Sequence, residues 1–188
     1  SLNSIDYTGT ISSNSTTISI SSTDLQAFVD GTTYTISANV DDQVGNNAST
    51  QTTDFIYDIT HPILSSVLLS SNNSLDTSLA KADDIITLTF TSSETIQTPT
   101  VVFKSNNVGI TNSVSYTNTN VSDNVWEASY IVDSNDSNGT VSYTIDYYDL
   151  ANNAGSTVSS GSGNIIVDTI VPVITLIGDA SITVEKGD

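Results

Sequence analysis

The sequence contains no cysteine, only three prolines and a single tryptophan among its 188 residues. Without cysteine the chain can form neither a disulfide nor a thiolate metal site. Its stability must therefore come from a packed core and from bound ions.

Basic side chains are almost as scarce. Three lysines and no arginine stand against 21 acidic residues, which gives a formal net charge of -18. Nucleic-acid binding needs clustered Lys and Arg, so this balance excludes nucleic acid as a partner. Repulsion of this size opposes a compact state, which indicates a medium rich in salt or divalent cations.

Groups suited to catalysis are also few. His61 is the one histidine, there is no cysteine nucleophile, and serine is too abundant for any one to stand out. Acid–base chemistry needs paired carboxylates in a buried cleft, which small polar-faced β domains rarely offer. The sequence therefore argues against an enzyme. No apolar run reaches 18 residues, so no membrane insertion is predicted for this segment.

What the chain does contain is period-two alternation of β-branched and aromatic residues. Apart from one helical turn near 23–28, this pattern predicts an all-β protein. Seven strands separated by polar turns favour an immunoglobulin-like (Ig-like) β-sandwich. The predicted strands are 63–70, 85–91, 100–103, 113–116, 125–132, 141–147 and 164–168.

Three aromatic residues, Trp126, Tyr147 and Tyr148, could serve either a core or a sugar-binding surface. Trp126 and Tyr147 alternate onto the predicted inward faces of their strands, which favours the core. Tyr148 remains the one candidate for an exposed aromatic. A carbohydrate-binding module is therefore a less favoured alternative.

One sequence motif occurs twice, about 110 residues apart, and this repetition indicates a tandem array of one domain type. Each copy has an acidic turn, at 42–48 and 149–154, followed by a strand that runs into Asp-x-x-x-Pro, at 58–62 and 168–172. We expect an N-terminally incomplete Ig-like domain at 1–61, a complete one at 62–171, and the truncated start of another at 172–188.

Tyr34 and Tyr143 follow similar turns, Asp30-Gly-Thr and Asn138-Gly-Thr. Each tyrosine is either a tyrosine corner, whose hydroxyl ties down the turn before its strand, or an ordinary core aromatic. The segment 133–139 lacks the glycine spacing and the glutamate of an EF-hand loop, and we interpret it as a tight hairpin turn.

Acidic turns and linkers together predict a calcium site. We expect each turn to lie at the end of its domain from which the linker leaves, so that turn and linker carboxylates converge at the joint. Calcium takes six to eight oxygen ligands at about 2.3–2.6 Å. The alternative is that these side chains only cap their turns. The predicted metal ligands are Asp42, Asn46, Asp58, Asp149, Asn153 and Asp168.

At these residues the chain resembles the Ig-like tandem repeats of very large bacterial surface adhesins. The matching positions are Asp42, Gly45, Asn46, Ala48, Asp58, Thr60 and Pro62. In the second copy, Asn152 stands where glycine is usual and Ile170 where threonine is usual. Residues 173–188 resemble the opening of a further repeat of this kind.

The resemblance implies a non-enzymatic, extracellular, cell-surface rod or stalk, with calcium at some domain junctions. Its partners would be neighbouring Ig-like domains of the same longer chain and, in an array, other copies. A surface-layer lattice or an extracellular filament is the alternative. In a further alternative, the final strands complete the truncated first domain of a neighbouring copy by strand addition.

Overall fold

The computed structural model describes residues 1–12 and 15–175. Contacts divide the chain into two compact units. Unit 1 comprises Ser1–Pro62 and Tyr148–Gly155, and unit 2 comprises Ile63–Tyr147 and Ser156–Asp188. Most of the further domain predicted at 172–188 lies outside the described residues.

Unit 1 is built on a two-stranded antiparallel sheet. Strands β1 (Thr32–Ala38) and β2 (Gln51–Tyr57) pair so that Tyr34 lies opposite Phe55. A single helical turn, α1 (Ser22–Leu25), precedes them and is capped by the Ser21 side chain. Phe28 stacks on Tyr34 at a centroid distance of 4.1 Å, so an aromatic cluster supplies much of this unit's small core.

Unit 2 contains two sheets. Their strands are β3 (Leu64–Ser71), β4 (Leu79–Ala80), β5 (Ile85–Ser92), β6 (Thr100–Ser105), β7 (Val108–Gly109), β8 (Ser115–Asn120), β9 (Val125–Ile131), β10 (Gly139–Asp146) and β11 (Ile166–Val167). The first sheet has the order β3-β5-β9-β8 and the second β4-β11-β10-β6-β7. A 3₁₀ turn at Val121–Asp123 precedes β9.

The two sheets of unit 2 enclose one core, as a sandwich does. Alternate residues of β5, β9 and β10 point inward because successive side chains of a strand face opposite ways. Phe103 of one sheet meets Tyr130 of the other at a ring-centroid distance of 4.9 Å. Each of the seven predicted strands overlaps an observed one, although 113–116 shares only Ser115 and Tyr116 with β8. The all-β prediction is confirmed.

The aromatic residues considered for sugar stacking lie mostly inside. Trp126 is 8% exposed and Tyr147 is 3% exposed, so both belong to the core. Tyr148 is 45% exposed. The preference for a core role at Trp126 and Tyr147 is therefore confirmed.

The segment that leads into β11 also pairs with β3. Leu68 forms a parallel bridge with Ser162, and Leu69 N–H donates to the Ser162 carbonyl at 2.9 Å. Gly163 makes this approach possible, because a Cβ at that position would lie 2.0 Å from the Leu69 carbonyl oxygen. The chain around Ser162 thus runs parallel to β3.

The two tyrosines adopt different roles. The Tyr34 hydroxyl accepts a hydrogen bond from Val29 N–H at 2.8 Å, which ties down the turn before β1 as a tyrosine corner does. The Tyr143 hydroxyl is buried and has no hydrogen-bond partner, and burial raises its pKa. Tyr143 is therefore a core aromatic.

The predicted hairpin turn at 133–139 is wrong. β9 and β10 belong to different sheets, so segment 133–138 crosses from one sheet to the other. Asp136 is 5% exposed, and its carboxylate accepts N–H bonds from Thr111 at 2.8 Å and Asp133 at 3.0 Å. The polar residues mistaken for a hairpin signal hold this crossing in place.

Within the described residues, no helix is long and apolar enough to cross a membrane.

Candidate cation site

The two acidic turns have the same local geometry. In the first, Asn46 N–H donates to Asp42 Oδ1 at 2.8 Å and Asn46 Nδ2 donates to Asp42 Oδ2 at 2.7 Å. In the second, Asn153 makes the same two bonds to Asp149, at 2.8 and 2.7 Å. An aspartate and an asparagine four residues apart therefore build one closed, fully paired turn.

The departure of the second copy at Asn152 does not change the turn. Asn152 has φ +74°, in the left-handed region where Gly45 of the first copy has φ +90°. Asparagine enters this region more readily than other non-glycine residues. The two turns therefore match despite the substitution.

The second turn contacts the linker that precedes β3. Asn153 Nδ2 donates to the Asp58 carbonyl oxygen at 3.1 Å, and His61 Nδ1 donates to the Ala154 carbonyl oxygen at 2.9 Å. Two hydrogen bonds thus fix turn 148–155 against segment 58–61 within unit 1.

This contact brings two carboxylates together. One oxygen of Asp58 lies within 4.8 Å of one oxygen of Asp149. Asp149 is 1% exposed and Asp58 is half-buried. We call these two residues the acidic pair.

The acidic pair has the donor chemistry of a hard-cation site. Each carboxylate oxygen has two lone pairs, so the oxygens of Asp149 can bind a cation while they accept the hydrogen bonds of Asn153. Calcium completes its coordination with backbone carbonyls and water. The oxygens present therefore fit calcium, which would offset the repulsion between the two negative charges.

The other predicted ligands lie elsewhere. Asp42 is exposed, and hydrogen bonds from the Asn46 backbone and side chain hold its pKa below its usual value. Asp168 is exposed, and its Oδ1 accepts from Ile170 N–H at 3.0 Å. In the described part of the chain, neither carboxylate joins a group of three or more such side chains close enough to share an ion.

Three of the six predicted ligands are brought together. Asn153 Nδ2 donates to the Asp58 carbonyl oxygen, and an oxygen of Asp149 lies near an oxygen of Asp58. Asp58, Asp149 and Asn153 therefore lie together within unit 1.

Two residues that hold the outgoing linkers were missed. Asp30 Oδ1 accepts from Ile59 N–H at 2.8 Å, and Asp30 also accepts from the Thr60 hydroxyl. In unit 2, Asn138 Oδ1 accepts from Thr169 N–H at 2.7 Å and from the Thr169 hydroxyl at 3.0 Å. We call Asp30 and Asn138 the linker clamps.

The sequence signal for the clamps was present. Both residues precede Gly-Thr and lie four and five positions before the matched tyrosines of β1 and β10. The hydrogen bonds from Thr60 and Ile59 hold the pKa of Asp30 below its usual value. The asparagine in the second copy makes the same contacts, so the clamp needs an oxygen acceptor rather than a charge.

No protein-family model matches this chain, and no match is found among curated proteins or solved structures. The similarity to bacterial Ig-like adhesin repeats thus stays a prediction from the residues quoted above.

Proposed function

We propose that this chain is a non-enzymatic structural segment of an extracellular surface protein. In this proposal its β-sandwich is Ig-like, and the segment forms part of the rod or stalk of a cell-surface adhesin. Its charge of -18 suits a protein that works in a salty, calcium-bearing medium.

The observation that carries the proposal is that matching hydrogen bonds hold both outgoing linkers. Asp58 Oδ1 accepts from Thr60 N–H at 3.1 Å, just as Asp168 accepts from Ile170 two residues on. The linker clamps then hold Ile59 and Thr169 at matching positions. A chain that fixes each outgoing linker by the same bonds is suited to a repeat array of defined geometry.

Calcium is the second part of the proposal. An ion bound by Asp58 and Asp149 would add ionic bonds to the two hydrogen bonds that already join turn 148–155 to segment 58–61. Its contribution would be to hold the linker before β3 in one conformation.

Small-angle scattering with a parallel thermal melt, in millimolar calcium and then in chelator, tests the proposal. We expect a higher melting temperature and a longer, stiffer particle in calcium. If neither quantity changes, the acidic pair does not bind calcium and the turn residues act only as caps.

The same samples separate the stalk from the lattice. A chain that stays monomeric in calcium supports a stalk, whereas ordered sheets or tubes support a surface-layer lattice or filament. A lattice would pack chains of like charge side by side, so bridging cations would be needed throughout it.

A further inference from the structure

The linker clamp of unit 2 is an asparagine that a glycine follows. Asn138-Gly139 is the one Asn-Gly pair among the 188 residues of the chain. Because a glycine has no Cβ to shield its backbone nitrogen, this nitrogen reaches the carbonyl carbon of the preceding side-chain amide more easily than that of any other residue. Asn138, which holds Thr169 of the outgoing linker, is therefore the asparagine most open to attack by its own backbone.

The side-chain amide of Asn138 is also open to water. Asn138 is exposed, and within the described part of the chain its Nδ2 donates no hydrogen bond. In the two acidic turns, by contrast, the Nδ2 atoms of Asn46 and Asn153 each donate to a carboxylate. The Nδ2 of Asn138 can therefore take up a proton from water and leave as ammonia more readily than the Nδ2 of either turn asparagine.

Attack requires the end of β10 to open. Gly139 is the first residue of β10 and lies opposite Val167 of β11, a strand of two residues. The end of so short a ladder opens more readily than the pairs inside a sheet. The two hydrogen bonds from Thr169 to Asn138 Oδ1 oppose this opening, so the rate of attack reports how often the clamp releases.

We propose that Asn138 is a site of spontaneous deamidation, and that this modification alters the linker clamp of unit 2. The Gly139 backbone nitrogen loses its proton to water and bonds to Asn138 Cγ, the Cγ–Nδ2 bond breaks, and Nδ2 leaves as ammonia. The product is a succinimide ring. Water then opens this ring at one or the other of its carbonyl carbons, which gives either aspartate or isoaspartate at position 138.

The two products differ in what they do to the clamp. Aspartate keeps the backbone and an oxygen acceptor, as Asp30 of unit 1 does for Ile59 and Thr60. Isoaspartate places Cβ and Cγ in the main chain and leaves its carboxylate directly on Cα. Its backbone is one atom longer and its acceptor arm one atom shorter, so it cannot both keep the register of β10 and reach Thr169.

Unit 1 carries a more resistant version of the same sequence, because Asp30-Gly31-Thr32 matches Asn138-Gly139-Thr140. Hydrogen bonds from Thr60 and Ile59 hold the pKa of Asp30 below its usual value, so its carboxylate stays ionised and is a poor target for attack. The two clamps should therefore age differently, although they make the same contacts. The inference goes beyond the proposed function, because it depends neither on calcium nor on a surface location.

The test is peptide mapping by mass spectrometry after the folded chain is held at mildly alkaline pH, below its melting temperature. Asn135 is the reference within the chain, because it lies in the same segment but precedes Asp136 instead of a glycine. We expect Asn138 to convert about tenfold faster than Asn135 or more, with both products present. Asp30 should isomerise more slowly than Asn138 deamidates in the same samples.

Two variants connect the reaction to the clamp. Thr169→Val removes the hydroxyl bond to Asn138 Oδ1 and should speed deamidation about fivefold, the equivalent of one hydrogen bond. Thr157→Val is the matched control, because it removes a threonine hydroxyl bond to Asp146, elsewhere in unit 2. The control should leave the rate at Asn138 unchanged.

The state of the clamp is measured by NMR hydrogen exchange at the Thr169 amide, which donates to Asn138 Oδ1 at 2.7 Å. Chromatography separates the aspartate and isoaspartate forms beforehand. The aspartate form and an Asn138→Asp variant should protect this amide as the unmodified chain does, whereas the isoaspartate form should lose the protection.

The proposal is overturned by any of three results. In the first, Asn138 reacts no faster than Asn135. In the second, Thr169→Val and Thr157→Val change the rate equally. In the third, the isoaspartate form keeps the Thr169 amide protected.

Discussion

Replacing Asp58 by asparagine should change stability in opposite directions with and without calcium. The substitution removes one charge of the acidic pair and preserves shape. It also preserves the local turn, because an asparagine Oδ1 can accept the hydrogen bond that Thr60 N–H donates to Asp58. The effect of the substitution therefore reports the charge of residue 58 and little else.

Without calcium, the two carboxylates repel each other. At a separation of 4.8 Å the repulsion is about 1 kcal/mol at the dielectric constant of water and about 3.5 kcal/mol at an effective value of 20. Asp58 is half-buried, so we expect a value towards the lower figure. In chelator, Asp58→Asn should consequently be as stable as wild type or more stable by about 1 kcal/mol.

With calcium bound, the order reverses. A ligand present at 100 times its dissociation constant stabilises the folded state by about 2.7 kcal/mol. The wild type gains this energy, whereas Asp58→Asn loses a charged ligand and gains much less. The variant should then be the less stable chain.

Urea denaturation of both chains, in chelator and in calcium, measures the two differences. Asp168→Asn is the control, because Asp168 makes the same turn to Ile170 but is exposed and outside the acidic pair. It should show no reversal. A difference between Asp58→Asn and wild type that is the same in both solutions would refute calcium binding at the pair.

Other substitutions test the fold. Tyr34→Phe should cost about 1 kcal/mol in urea denaturation because it loses a hydrogen bond, and Tyr143→Phe should cost nothing; an equal loss in both would contradict the roles assigned to the two hydroxyls. Gly163→Ala should lower the free energy of unfolding by more than the roughly 1–2 kcal/mol that a positive φ costs an alanine, because the new Cβ would also collide with the Leu69 carbonyl oxygen. Gly109→Ala, where a Cβ meets nothing, should change the free energy of unfolding by less than about 0.5 kcal/mol. Burial raises the pKa of Asp84, but hydrogen bonds and the charge of Lys81 have the larger combined effect, so the pKa lies below its usual value. The wild type should therefore be more stable than Asp84→Asn from pH 7 to about 5, and this advantage should shrink below about pH 4. A difference that does not depend on pH would contradict this.

The strands of unit 2 were predictable because their signal is local and repeated. In β5, the residues Ile86, Leu88 and Phe90 alternate with threonines, and this alternation alone decides which side chains enter the core. The two-residue strands β4 and β7 carry no such signal. They exist because neighbouring strands offer partners at those positions, which a single sequence does not reveal.

The segment 133–138 shows how a correct local reading can give a wrong connection. Its Asn and Asp residues do make short-range bonds, as Asn135 does to Asp133 at 2.8 Å. Whether such a segment joins two strands of one sheet or crosses to the other sheet depends on pairing. β10 pairs with β6 rather than with β9, and the residues of 133–138 carry no signal that predicts this pairing.

Part of the candidate site was likewise predictable from local sequence, and part was not. The turn geometry at Asp42 and Asp149 was predictable, because the bonds that close it lie within five residues of sequence. The contact between Asn153 of the second turn and the Asp58 carbonyl was not predictable, because the two residues lie 95 positions apart in the sequence.

The sequence does not predict that the two turns, which share the same hydrogen bonds, differ in burial. Asp42 is exposed and Asp149 is 1% exposed, although each accepts the same pair of bonds from an asparagine four residues on. The motif fixes the turn, whereas burial and a second carboxylate come from the segment that packs against it. Asp149 therefore has the surroundings of a cation ligand, whereas Asp42 has those of a turn cap.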